Sequence, residues 1–303
     1  MIRECHKCKS LFVANPPSPA ELQSYYPPHY VAYTERVEST IRRVMGRLQT
    51  ALFQAKNDVP PKTWAATVMR ALPLAGYTRG YVMVPQGNHL DVGCGAGQFL
   101  EISRSLGMSP YGVEPNLAAS QAAQAKGLNV LCGTLEDGRF PDRYFDLITM
   151  NHVFEHVNDP RATLIEACRI LRLGGTLIIT TPNAKSLIRL LFGKYWFQLD
   201  APRHLQIYTF GSIVWLAQQA RLEITNVHWV GHPVALTASL YNLLCPHGTH
   251  TPRTFLHRLL VGPPVQWLAL PLTAIVNAFR LGDTIEVRMT SRAGQTARTA
   301  EEG

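Results

Sequence analysis

Three histidines and one acidic glycine run hold most of the chemistry this chain can offer. His152 and His156 lie in Asn151-His152-Val153-Phe154-Glu155-His156, and His204 closes Asp200-Ala201-Pro202-Arg203-His204. A neutral imidazole is the natural proton acceptor near pH 7, so all three are candidate catalytic bases. Upstream, Asp91-Val92-Gly93-Cys94-Gly95-Ala96-Gly97 alternates glycines behind an acid. Glycines let a backbone turn sharply and approach a ligand with no Cβ in the way. The Asp91 carboxylate would repel phosphate and suits a cationic amino-acid head group. Glu114 lies 23 residues beyond Asp91, close to the spacing at which an acid grips ribose hydroxyls.

These residues need a scaffold that gathers them. Asn88–Val92 reads as a short buried strand, and Gln98 onward as a helix whose free amide hydrogens point back into the glycine loop. A dinucleotide site would want G-x-G-x-x-G, and Gln98 stands against it. Strand and helix then alternate: Ser109–Glu114, Asn129–Cys132, Tyr144–Met150 and Thr176–Thr181 are strands, which predicts a parallel sheet with helices on both faces. Asp159-Pro160 should start a helix and Leu173-Gly174-Gly175 should end it. Leu222–Val230 reads as a sixth strand and Asp283–Thr290 as a seventh, its hairpin partner. Asn151, His152 and His156 leave the carboxyl end of the fourth strand, where open α/β sheets bind ligands.

The run D-x-G-x-G-x-G resembles motif I of the class I S-adenosylmethionine-dependent methyltransferases, and the likeness extends in order and spacing over residues 88–230. It implies a Rossmann-like, seven-stranded, mostly parallel sheet and S-adenosylmethionine as cofactor. Cofactor contacts are then expected from Asp91, Gly93, Gly95, Gly97, Glu114, Pro115 and Asn151, with Thr134, Leu135 and Glu136 flanking the adenine. Asp200, Pro202, Arg203 and His204 resemble a signature of one subgroup, found in sugar and natural-product pathways; Arg203 and Tyr208 are candidate substrate contacts. In that subgroup a zinc ribbon with two C-x-x-C pairs opens the chain. Here only Cys5-His6-Lys7-Cys8 stands before the proline- and tyrosine-rich stretch, and a tetrahedral site needs four ligands. Bound zinc is therefore not expected.

His152-Val153-Phe154-Glu155-His156 also spells H-x-x-E-H, a zinc-peptidase pattern that needs a continuous helix. Pro160 follows too soon for one. Ubiquinone-pathway O-methyltransferases carry E-x-x-E-H at this place and bind magnesium with it; an imidazole in place of the first glutamate is a poorer magnesium ligand. The expectation is base catalysis with no metal.

Composition narrows the class further. Of 303 residues, 46% are apolar and 17% charged, as in a folded globular chain. The net charge of +8 is scattered, with no basic run of five and no nucleic-acid module, so nucleic acid is not the expected partner. Of the six cysteines one lies in the glycine loop and others fall in apolar segments, which argues against a disulfide framework, and the N-terminus has no secretory pattern; both point to the cytoplasm.

Five segments result: 1–32, partial ribbon; 33–86, an amphipathic helical stretch that packs on the core or forms a lid; 87–230 with 283–292, the core; 231–282, a hydrophobic insertion; and 293–303, a polar tail. The insertion has enough uncharged residues to span a bilayer, but Pro263, Pro264 and Pro271 interrupt it. It covers an acceptor pocket or lies in a membrane interface with Trp229, Trp267, Arg253 and Arg258. The reading is a methyltransferase acting on oxygen or carbon of a small sugar-like or secondary-metabolite acceptor. Its rivals are a membrane-surface enzyme acting on a lipid or quinone, and a cofactor-binding protein without turnover.

Overall fold

The computed structural model describes residues 1–26, 86–245, 257 and 260–291. The expected lid or packing helix at 33–72, Arg253, Arg258 and the side chain of Trp267 lie outside the described residues. The chain divides into two compact units, one of Met1–Tyr26, Asn151–Leu164 and Ile179–Met289, the other of Pro27–Met150, Ile165–Ile178 and Thr290–Gly303.

The second unit holds the glycine run. Strands β3 (Asn88–Val92), β4 (Ser109–Glu114), β5 (Asn129–Cys132) and β6 (Phe145–Asn151) pair in parallel, with Asp91 opposite both Gly112 and Thr149. Leu90, Val92, Leu147, Ile148 and Met150 are all buried, as expected where helices cover both faces of a parallel sheet. Helix α2 (Gln98–Ser105) starts at Gly97, whose φ of 81° is left-handed. Helix α3 (Leu117–Ala125) is capped by Asn116, whose side-chain oxygen accepts from the Ala119 amide at 2.9 Å. Its buried Ala123 lets it come so near the loop that a Cβ on Gly97 would sit 3.1 Å from the Ala123 Cβ, and 2.4 Å from the side chain of Leu128 just beyond the helix.

The first unit carries a short helix α1 (Pro19–Ser24) and a small antiparallel sheet, β1 (Ile2–Glu4), β2 (Leu11–Val13) and β8 (Gln206–Ile207). Cys5 and Cys8 lie in the turn between β1 and β2. The Thr209 hydroxyl donates to the Cys8 carbonyl at 3.0 Å and caps α6 (Phe210–Gln219), tying that turn to the segment after β8. The insertion folds as α7 (Pro233–Leu244) and α8 (Pro263–Ala278) around β9 (Leu222–Val230) and β10 (Thr284–Ser291). No helix among the described residues is long and apolar enough to cross a membrane.

The large sheet has seven strands in the order β5-β4-β3-β6-β7-β10-β9, with β7 at Leu171–Pro182. The Rossmann-like α/β class expected from the sequence is present. One boundary differs. Helix α4 (Pro160–Ile170) begins as expected, with Asp159 accepting from the Arg161 and Ala162 amides, but it ends before Leu171 and β7 runs straight on through Gly174 and Gly175. Gly174 takes a φ of 77°, and a Cβ on Gly175 would lie 3.1 Å from the Asp146 carbonyl. The two glycines therefore serve a bent strand and a close backbone approach rather than a helix cap.

Candidate functional site

The glycine loop has the shape its residues predict. Gly93, Gly95 and Gly97 have φ of 69°, 54° and 81°, a region closed to most side chains. The Glu114 carboxylate, buried at the end of β4, accepts from the Gly95 amide at 2.9 Å and the Asn116 amide at 2.8 Å. It thus braces the loop as well as standing beside it, and burial raises its pKa. Gln98 opens α2 with its side-chain Nε2 buried and unpartnered in the protein.

Asp91 is held from behind by a polar chain. The Thr149 hydroxyl donates to the Asp91 carboxylate at 2.6 Å, and His89 Nε2 lies 2.8 Å from that same oxygen of Thr149. A hydroxyl whose proton goes to Asp91 must accept from the imidazole, so Nε2 carries the proton and Nδ1 accepts from the Ser103 hydroxyl at 2.9 Å. His89 is fully buried, which pushes its pKa down to about 3 and keeps it neutral. Sequence reading passed over this histidine; its place inside an apolar strand was the available signal.

The other unit gathers the three candidate bases around one carboxylate. His152 follows β6 with a left-handed φ of 53°, its amide bonded to the Thr180 carbonyl at 2.8 Å. Glu155, within the short 3-10 turn Phe154–His156, is fully buried. His152 Nδ1 lies 3.1 Å from Glu155 Oε1, and the Thr181 hydroxyl donates to Oε2 at 3.0 Å. Burial alone would raise the Glu155 pKa, but the His152 hydrogen bond and the three imidazoles hold it down, to about 2. His156 Nδ1 lies 2.8 Å from the Arg203 carbonyl and 3.1 Å from the Tyr26 hydroxyl. His204 Nδ1 lies 2.8 Å from the Gln198 carbonyl. Carboxylate and carbonyl oxygens only accept, so each ring carries its proton on Nδ1 and keeps a lone pair on Nε2.

The remaining expected residues fall unevenly. Thr134, Leu135 and Glu136 follow β5, with the Thr134 amide and hydroxyl bound by Asp137; Leu135 is buried and Glu136 exposed. Pro115 is exposed beside Glu114, and Asn151 ends β6 half-buried. Arg203 is spent on an ion pair with Asp200 at 2.5 Å. Tyr208 was expected to meet substrate. It is instead 2% exposed, stacked on Phe154, with its hydroxyl donating to the Phe154 carbonyl at 3.2 Å. It is a core residue. Sequence reading also left Glu155 out of the catalytic set, although its place three residues after His152 is what lets the two side chains meet.

Comparison with known proteins adds a family signal. Residues 40–227 match a family model described as a methyltransferase domain. A ubiquinone biosynthesis O-methyltransferase of Bradyrhizobium sp. (strain ORS 278) is 36% identical over 100 residues, 31% of this chain and 39% of that one. A malonyl-[acyl-carrier protein] O-methyltransferase of Paenibacillus sp. (strain JDR-2) is 26% identical over 182 residues, 55% of this chain and 64% of the relative. The chain spans about two fifths of the length of the first curated relatives it matches. Among solved structures, a SAM-dependent methyltransferase from Archaeoglobus fulgidus aligns with a TM-score of 0.49 at 19% identity, covering 79% of this chain and 98% of that one.

Proposed function

This chain belongs to the methyltransferase-domain family, and we propose that it methylates oxygen or carbon of a small molecule, a sugar or secondary-metabolite intermediate. S-adenosylmethionine is the donor. When bound, it supplies an electrophilic methyl group that passes in line to a nucleophile.

The residues of the glycine loop suit that donor. Three left-handed glycines leave bare backbone for close approach, and Asp91 offers a buried carboxylate to an ammonium group. The buried Gln98 Nε2 is a donor in want of an acceptor, which a ligand carboxylate or hydroxyl provides. Glu114 retains accepting capacity beyond its two amide bonds.

One observation carries the reading of the chemical step: the Glu155–His152 pair. A buried, ionised carboxylate holds the Nδ1 proton, which fixes the ring and leaves the Nε2 lone pair to take a proton from a hydroxyl or carbon acid. The His152 side chain is more open than that of His204, 33% exposed against 10%. His156 and His204 give their Nδ1 protons to main-chain carbonyls and lack that anionic partner there. His152→Gln should keep S-adenosylhomocysteine affinity by calorimetry while turnover of an accepted substrate falls by about 10²–10⁴-fold. Unchanged turnover would assign the proton to another group. Binding of NAD with none of S-adenosylhomocysteine would sink the donor reading as well.

A second reading, a lipid or quinone acceptor met at a membrane surface, draws on α8. Leu268, Leu272, Ile275 and Phe279 are exposed by 81%, 47%, 57% and 71%, at spacings that put them on one helical face.

A further inference from the structure

The imidazole cluster contains a second arrangement, which shares Glu155 with the proposed proton transfer but adds His156 and His204. Among the described residues, one ring nitrogen each of His156 and His204 and one carboxylate oxygen of Glu155 all lie within 4.8 Å of one another. His204 Nε2, which keeps its lone pair, faces Glu155 Oε1 at 3.9 Å and Asp200 Oδ2 at 3.9 Å. That separation is too long for a hydrogen bond. Two ligands about 2.1 Å from one ion, however, stand up to about 4.2 Å apart, and about 3.4 Å apart at the tetrahedral angle. A lone pair set against two carboxylate oxygens at this distance leaves room for a cation between them.

We propose that Glu155, His156 and His204 bind a divalent transition-metal ion, with an open coordination position for water or an acceptor oxygen. The surroundings are those of a prepared site. Metal-binding imidazoles commonly give their other ring proton to a carbonyl, and here both do, to Arg203 and Gln198. A ligating carboxylate is usually hydrogen-bonded in turn, and Glu155 accepts from Thr181 and His152. Glu155 is also fully buried, and a buried charge requires a counter-charge. Two imidazole nitrogens and one oxygen suit zinc, cobalt or iron better than magnesium. Closing the widest pair by about 1–1.5 Å, within reach of side-chain torsions, gives tetrahedral spacing. The set differs from the H-x-x-E-H reading of the sequence: His204 arrives from a loop some fifty residues on, and no helix is needed.

The test uses the full chain, purified without a polyhistidine tag, stripped with chelator and titrated with Co²⁺ and with Zn²⁺. The expected result is one equivalent bound per chain, visible d–d absorption from the cobalt form, and a rise in thermal midpoint with either ion. His204→Gln and Glu155→Gln should each weaken binding by at least about a hundredfold, with circular dichroism unchanged, while Cys5→Ser/Cys8→Ser should leave it intact. If a variant fails to fold, the parent's stoichiometry and cobalt spectrum still decide. A parent chain that binds neither ion overturns the proposal, as does binding that survives His204→Gln and Glu155→Gln or is lost with the cysteines. None of these readouts uses methyl transfer, so the two proposals stand or fall separately.

Discussion

Single residues in this chain do their work through which proton they hold and how little room they have. His89, His152, His156 and His204 all have their tautomers set by acceptor or donor partners, so four chemically similar rings acquire different duties. His89 stiffens the back of Asp91, while His152 keeps an Nε2 lone pair on a side chain 33% exposed. Gly97 is bound by space as well as by φ. A Cβ there would lie 2.4 Å from Leu128 and 3.1 Å from Ala123, in a left-handed conformation. Gly97→Ala should therefore cost about 2–4 kcal/mol of stability, left-handed strain and overpacking together. Chemical denaturation would measure the loss, and S-adenosylhomocysteine affinity should fall with it. A neutral outcome would mean the loop and α3 separate more easily than their packing implies.

At the scale of elements, the sheet's order brings strand ends into use. β3 and β4 deliver Asp91 and Glu114 from neighbouring strands paired in parallel, and β6 ends where Asn151 and His152 begin the cluster. The inserted helices present a different question. α8 buries Ala269, Thr273 and Val276 and turns Leu268, Leu272, Ile275 and Phe279 outward. On α5 (Leu187–Phe192), Leu190 and Leu191 are 65% and 67% exposed, and the stretch from Asn183 to Leu199 holds Lys185, Arg189 and Lys194 but no acid. Apolar side chains among cations suit an anionic membrane surface. The lipid-acceptor reading predicts co-sedimentation with vesicles containing phosphatidylglycerol and its loss in Leu268→Ser/Leu272→Ser. A parent chain that stays in the supernatant at low salt removes that reading and favours a dissolved acceptor.

For the molecule as a whole, buried ionisable groups set the response to pH. His89 titrates near 6.5 when unfolded, but its folded pKa is about 3. As pH falls through this window the unfolded chain takes up a proton that the native state refuses, so this group's contribution is complete above about 6.5 and is lost toward 3. The slope approaches about 1.4 kcal/mol per pH unit. Acid unfolding should accordingly steepen below pH 6. His89→Gln should be less stable at pH 8, where its network is broken, yet show a flatter decline from pH 6.5 to 4.5. Denaturant midpoints at each pH check this, and parallel slopes for the two chains would show that other groups govern the acid limb.

How much of this was legible beforehand follows from how far each feature reaches along the chain. The glycine loop, the strand alternation, the Asp159 cap and the place of Glu114 depend on neighbours or on a repeating strand–helix unit, and the order of residues by itself determined them. The Gly174-Gly175 reading failed because a helix end and a bent strand make the same demand for a left-handed residue. Contacts distant in sequence decided the rest. Tyr208 became core because Phe154 lies against it, Arg203 was taken by Asp200, and Glu155 joined His204 across a loop whose spacing carries no period. A loop's amino acids state which groups are available for chemistry. Only tertiary packing states which of them are buried, which protons they hold and which lone pairs face one another, because those depend on desolvation and on partners the chain meets only when folded.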